Sequence, residues 1–232
     1  MARILGVSSI LLFLVWLPGC SRDISISPSN VMVRGDVYRH GGGGIQVCLS
    51  CLGVPLSGAD VSVNGHRLHE LPTDGMYLVT QTSMSIEPGV TYELTVRVGE
   101  SSFSGTAVLC DSFYCLRPEP SSEHRVGEPL LAEWTSTGNG YRYVVLIEQN
   151  FVEVVRQTYV SPVLQDTFLT IPAEAFDESG SYWIIIFSFQ NGVTYHSCDA
   201  VAVDRENLTR GALGFFGSCR LVETRVWVNG SG

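Results

Sequence analysis

Lysine is missing from this chain: all fourteen basic residues are arginine. That removes every chemistry that needs an ε-ammonium, including Schiff-base formation, the phosphate-cradling lysine of nucleotide-binding loops and Ser–Lys dyads. Charge is also scarce and one-sided, with 16% charged residues and a formal net charge of −9. An acidic surface of that kind suits neither nucleic acid nor anionic lipid. Helical periodicity is almost absent, and only one long apolar run occurs, at the N-terminus. The catalytic signatures are missing as well: there is no G-x-S-x-G turn, no H-E-x-x-H pair, no calcium loop and no glycine-rich phosphate loop.

The one apolar run, Ile4 to Trp16, follows Arg3 and ends in Leu17-Pro18-Gly19-Cys20. Thirteen residues are short for a bilayer span, which takes roughly 20. A basic start, a short apolar centre and a small residue before the cut describe a secretory signal. The closing four residues resemble a bacterial lipobox, with Pro18 tolerated rather than typical. The resemblance implies cleavage before Cys20, acylation of Cys20 with chains of the palmitate type, and tethering to a membrane. Two or three chains exceed the single chain that binds only marginally. An ordinary signal peptide with an incidental cysteine is the alternative. Ser21, in place of an aspartate, favours the outer membrane. Losing Arg3 with the signal takes the mature charge from −9 to −10.

Six cysteines remain after Cys20: Cys48, Cys51, Cys110, Cys115, Cys198 and Cys219. An even number in an oxidising compartment reads as disulfides, and six cysteines allow fifteen pairings. Sequence proximity favours Cys110–Cys115 and Cys198–Cys219, leaving Cys48–Cys51. A four-thiolate zinc site is the rival reading of C-x2-C with C-x4-C, although the usual knuckle glycines are lacking. A redox role for Cys48-Leu49-Ser50-Cys51 lacks the helix N-terminus that would acidify a thiol.

Beyond the polar leash at 20–30, period two dominates. Tyr92, Leu94, Val96 and Val98 alternate with polar residues, as does Asp60-Val61-Ser62-Val63, the pattern of half-buried strands. Asn64-Gly65, Asp74-Gly75 and Pro88-Gly89 are turn dipeptides. These turns, with Val54-Pro55-Leu56-Ser57-Gly58-Ala59-Asp60 and Val90-Thr91-Tyr92, resemble the carboxypeptidase-regulatory-like module, an Ig-like β-sandwich without catalytic residues. Leu116-Arg117-Pro118-Glu119-Pro120-Ser121-Ser122-Glu123 has linker composition. After it, Glu133-Trp134, Tyr141 to Ile147, Leu169-Thr170-Ile171 and Ser181-Tyr182-Trp183-Ile184 resemble a fibronectin type III layout. That layout implies Trp134 in the core and Tyr182 at a tyrosine corner. Trp183 to Phe189 is apolar on both faces, which predicts a central strand, and only 173–177 suits a helical turn. Gly211, Gly214 and Gly217 surround Phe215 and Phe216, a pattern for a kinked strand whose aromatics fill gaps.

Titratable clusters are few. His66-Arg67-Leu68-His69-Glu70 is the densest, but residues three apart on a strand face opposite ways, so an exposed polar hairpin is expected rather than a metal site. His40 borders a glycine loop, and Glu174, Asp177 and Glu178 read as a solvated run without partners. Asn207-Leu208-Thr209 and Asn229-Gly230-Ser231 match glycosylation sequons, discounted in a bacterial lipoprotein.

The expected fold is all-β: two Ig-like antiparallel β-sandwiches in tandem after a lipoprotein signal peptide. Residues 1–19 form the signal, 20–30 the lipidated cysteine and linker, and 31–112 the first sandwich. Residues 113–126 form a linker, and 127–232 the second sandwich with a C-terminal strand extension. The combination resembles a family of bacterial outer-membrane lipoproteins of unassigned role, often found beside TonB-dependent receptors. A non-catalytic envelope protein is expected, with no metal or cofactor, a membrane contact through Cys20 and an envelope protein or glycan as partner. The alternatives are an accessory subunit of a TonB-dependent receptor or transporter, and a hydrolase with scattered carboxylates.

Overall fold

The computed structural model describes residues 26–39, 43–72, 75–150, 155–195 and 200–230. Among them the fold is all-β, with three single turns of 3-10 helix as the only helical pieces. One of these is Ala173–Phe176, where a helical turn was expected. No helix among the described residues is long and apolar enough to cross a membrane. The signal segment, Cys20, His40, Asp74 and Cys198 lie outside the described residues.

The first sandwich packs β1 (Val31–Tyr38), β2 (Gly44–Cys51), β3 (Val54–Pro55), β6 (His69–Glu70) and β7 (Met76–Thr80) against a second sheet. That sheet runs in the order β5 (His66–Arg67), β4 (Asp60–Val63), β8 (Thr91–Val98), β9 (Ser101–Val108). The expected alternation holds: Tyr92, Leu94, Val96 and Val98 are buried with Val33, Val47 and Phe103 in one core. Asn64-Gly65 makes the tight turn after β4, both with positive φ. The Tyr92 hydroxyl donates to the Glu87 carbonyl at 3.1 Å and accepts from the Glu87 amide at 2.7 Å. This is a second tyrosine corner beside the expected one, where Tyr182 donates to the Glu178 carbonyl at 3.0 Å. The His66–Glu70 cluster is divided, because the chain changes sheets at buried Leu68: β5 pairs with β4, and β6 with β7.

The second sandwich sets a three-stranded sheet against a larger one. The smaller sheet runs β10 (Cys115–Arg117), β12 (Leu130–Trp134), β15 (Phe168–Ile171). Facing it are β13 (Arg142–Asn150), β14 (Val155–Val160), β16 (Gly180–Gln190) and β19 (Leu213–Asn229), with β11 (Ser122–Arg125) beside β19. Trp134 and Tyr182 are buried in this core, and Trp134 stacks at a tilt on Tyr143 with ring centroids 5.4 Å apart. β16 lies between β13 and β19, the central place its two-sided apolar character requires.

Three expectations need correction. The stretch 113–126 is not a free linker: Phe113 is buried in the second core, β10 pairs with β12, and β11 pairs with β19. Its prolines leave it able to form short edge strands, which need few ladder donors. The C-terminal segment is not merely an extension of the second sandwich. β19 pairs antiparallel with β16 from Ser218 to Val228, but its first half, Leu213 to Cys219, pairs parallel with β1. Phe216 and Ala212 belong to the first core. One strand thus joins both sandwiches into a continuous ten-stranded sheet, in which the β1–β19 and β11–β19 ladders are parallel rather than antiparallel. Finally, the acidic run has a partner: Arg156 meets Asp177 at 2.8 Å and Glu178 at 3.5 Å.

The crossing depends on glycine. At Gly217 a Cβ would fall on the carbonyl oxygen of Gly192, with the Gln190 oxygen at 2.5 Å. At Gly214, φ is +95° and a Cβ would strike the Val33 carbonyl. Buried Asn191 and half-buried Asn207 bracket this crossing, each donating to the carbonyls of Thr106 and Phe216. The Asn207 amide, expected only as an unused sequon, ties β9 of the first sandwich to β19.

Candidate interaction surface and junction cavity

Two places stand out from a well-packed background. The first is the outward face of the three-stranded sheet. Cys115 and Trp134 point into the core, so their neighbours point to solvent by the alternation of a strand. Tyr114 is 66% exposed, Leu116 55%, Phe168 55% and Leu131 36%. The polar centre of this face is the Arg117–Glu133 ion pair, with Nε and Oε2 3.3 Å apart. Both Tyr114 and Thr135 are tied by paired backbone and side-chain bonds, so the aromatic is displayed from a fixed backbone. Scattered exposed apolar residues are ordinary, whereas a contiguous apolar face marks an interaction site. The aromatic pair on the other sheet is occupied: Arg225 lies over Trp227 at 4.2 Å and over Trp183 at 5.8 Å.

The second place is the junction of the sandwiches. A hairpin of β17 (Gly192–Thr194) and β18 (Ala200–Val203) covers the outer face of the large sheet where β19 passes from β1 to β16. Under it lies a cavity of about 220 Å³ lined by Asp36, Tyr38, Gln46, Phe187, Thr194, Tyr195, Cys219 and Leu221. Asp36 is 2% exposed. Its Oδ2 accepts from the Thr194 amide at 3.1 Å, the Thr194 hydroxyl at 3.2 Å and the Cys219 thiol at 3.6 Å. Burial raises its pKa from 3.8 to about 6, against the lowering effect of the Thr194 bonds. The neighbours feel both burial and the negative charge. The Tyr38 hydroxyl is pushed up by burial, Asp36 and Cys219, and the Tyr195 hydroxyl by burial, Glu148 and Glu223. The Cys219 thiol is pushed well up by burial and Asp36, which makes it a poor nucleophile and metal ligand.

The cysteines do not pair as expected. Cys51, Cys110, Cys115 and Cys219 are free thiols. Cys48 and Cys51 sit three apart on β2, so their side chains leave opposite faces of the strand. Cys115 turns into the second core and donates to the Arg117 carbonyl at 3.1 Å, whereas Cys110 is buried beside Ser188 and Arg220. Cys219 is committed to Asp36, and its expected partner Cys198 lies outside the described residues. Cys48 is disulfide-bonded. No group of three or more metal-ligating side chains occurs among the described residues, and the cysteines of the zinc alternative are spread over β2, the second core and the 110 loop.

Asp36 was not singled out from the sequence. In Val31-Met32-Val33-Arg34-Gly35-Asp36-Val37-Tyr38, alternation assigns it to the solvent face, and it does leave the first core. What buries it is β17, 158 residues away, and no local pattern announces such a contact.

No family model matches the chain, and no curated protein matches it. Among solved structures, the fibronectin(III)-like modules of Clostridium thermocellum CbhA are similar, at 11% identity and a TM-score of 0.25, covering 86% of this chain and 94% of that one. The assignment of β-sandwiches therefore rests on the sheets and cores described above.

Proposed function

We propose that this chain is a non-catalytic lipoprotein of the bacterial cell envelope, anchored through Cys20, that works by binding another envelope component. The anchor rests on Arg3, the apolar run and Leu17-Pro18-Gly19-Cys20 in the sequence. The observation that carries the binding role is the exposed apolar face of Tyr114, Leu116, Leu131 and Phe168 around one ion pair. Such a face resembles the centre of a protein interface, aromatic and apolar with a polar partner fixed at its middle.

The anchor and the face are tested separately. Cys20→Ala should release the protein from membranes or leave it unprocessed; a variant that stays acylated and membrane-bound refutes the anchor. A photo-crosslinking residue at Phe168, in cells of the native host, should capture a stoichiometric partner that the same residue at exposed Leu52 does not. Equal capture at both positions, or none at Phe168, refutes the face.

A further inference from the structure

The junction cavity holds a carboxylate whose hydrogen bonds among the described residues all fall on one oxygen. All three described hydrogen bonds to Asp36 converge on Oδ2, and Oδ1 accepts none among the described residues. Among the described residues, the sealed polar atoms that lack partners belong to Trp134, Gln149 and Arg220; Asp36 instead lines the cavity. An ionised carboxylate is an acceptor only, so a ligand completing it must bring a donor. We propose that this cavity binds a primary alkylammonium group, with Asp36 Oδ1 accepting one of its N–H bonds and the rings of Tyr38, Tyr195 and Phe187 enclosing the alkyl chain and cation.

Three observations select that chemistry. The cavity walls named above include three aromatic rings and no basic side chain, and ring faces attract alkylated cations. The charge on the described wall is negative, because Asp36 is its carboxylate and acts on Tyr38. Asp36 is the one carboxylate among the described wall residues, whereas a calcium ion takes six to eight oxygens. The anionic oxygen is also held by its surroundings before any ligand arrives: Thr194 fixes Oδ2 through backbone and hydroxyl together, so little ordering is required on binding.

The mature protein titrated with propylammonium, followed by the amide resonances of residues 36, 38 and 194, tests this. Propylammonium should bind at least about tenfold more tightly than the neutral 1-propanol, the factor expected of one charge-assisted bond. Asp36→Asn should erase that preference. If Asp36→Asn fails to fold, Tyr38→Leu, which removes one ring and leaves the carboxylate, should lower the ammonium affinity severalfold while 1-propanol is unaffected. A short peptide containing one lysine distinguishes the sources: binding as tight as propylammonium assigns the site to a partner's side chain, and weaker binding assigns it to a free amine. Equal binding of propylammonium and 1-propanol by the wild type overturns the proposal, as does calcium shifting the same resonances in preference to the amine. Neither result bears on crosslinking at Phe168.

Discussion

Replacing Asp36 by asparagine should change how stability depends on pH, and the structure sets the size of the change. The folded carboxyl titrates near 6 because burial penalises the charged form, against 3.8 for an unburied carboxyl. A raised pKa means that the folded state holds the proton more tightly than the unfolded state. The stability contribution of Asp36 is therefore full below about pH 4 and is lost as pH rises through 6. A shift of about two units corresponds to roughly 3 kcal/mol, most of it falling between pH 4 and 7. Asparagine keeps an oxygen for the Thr194 bonds but carries no titrating proton, so this term vanishes. Urea unfolding of both proteins at half-unit steps from pH 4 to 7.5 reads the difference directly, since every other carboxylate contributes equally to both. The gap between the two curves should move by roughly 2–3 kcal/mol in favour of the variant as pH rises. Parallel curves would mean that Asp36 titrates normally and that its burial between β1 and β17 is wrong.

Gly217→Ala should lower stability by more than about 4 kcal/mol, because backbone rather than a movable side chain occupies the Cβ position. Gly230→Ala, with nothing within 4 Å of its Cβ, should stay within about 0.5 kcal/mol of wild type in the same melts. Gln149 is buried with neither amide atom bonded, so Gln149→Met should raise stability by about 1–3 kcal/mol in urea; a loss would show that the amide has a partner. Trp134→Ala should cost about 3–5 kcal/mol, and it should lower one shared transition, measured by tryptophan fluorescence and by calorimetry, rather than unfold the second sandwich alone. Iodoacetamide added to unfolded, unreduced protein should label Cys51, Cys110, Cys115 and Cys219 and leave Cys48 unmodified, as peptide mass spectrometry would record.

What could be read from the sequence follows from what a strand's own residues encode. Alternation at 92–98, the two-sided apolar run at 183–189, the turns at Asn64-Gly65 and Pro88-Gly89 and the places of Trp134 and Tyr182 are local, and the structure agrees with each. Pairing partners are not local. Alternation states which face a residue takes but not which strand lies beside it, so nothing in Leu213 to Cys219 indicates that it joins β1 rather than continuing the second sheet. The proline-rich stretch misleads for a related reason: its composition suits a linker, while Phe113 and Cys115, only two residues apart, suffice to hold it to a core. Disulfide pairing fails by treating proximity in sequence as proximity in space, which an extended strand contradicts at Cys48 and Cys51.

The shared strand also determines what kind of binding protein this fold makes. Two sandwiches joined by a linker reorient freely, because interfaces between such domains are small and polar. Here β19 contributes Phe216 to one core and Val226 and Val228 to the other, and the strand cannot bend between them without breaking the ladder to β1 or to β16. Asp36, Thr194, Asn191 and Asn207 add buried and half-buried hydrogen bonds at the same place. The outward face of Tyr114 and Phe168 is therefore held at a fixed angle to the first sandwich, the part nearest Cys20 in sequence. A partner docking there loses no freedom of the second sandwich on binding. Gly217→Ala, which strikes the crossing and not the face of Tyr114 and Phe168, should accordingly weaken crosslinking at Phe168 even at a temperature where the variant remains folded.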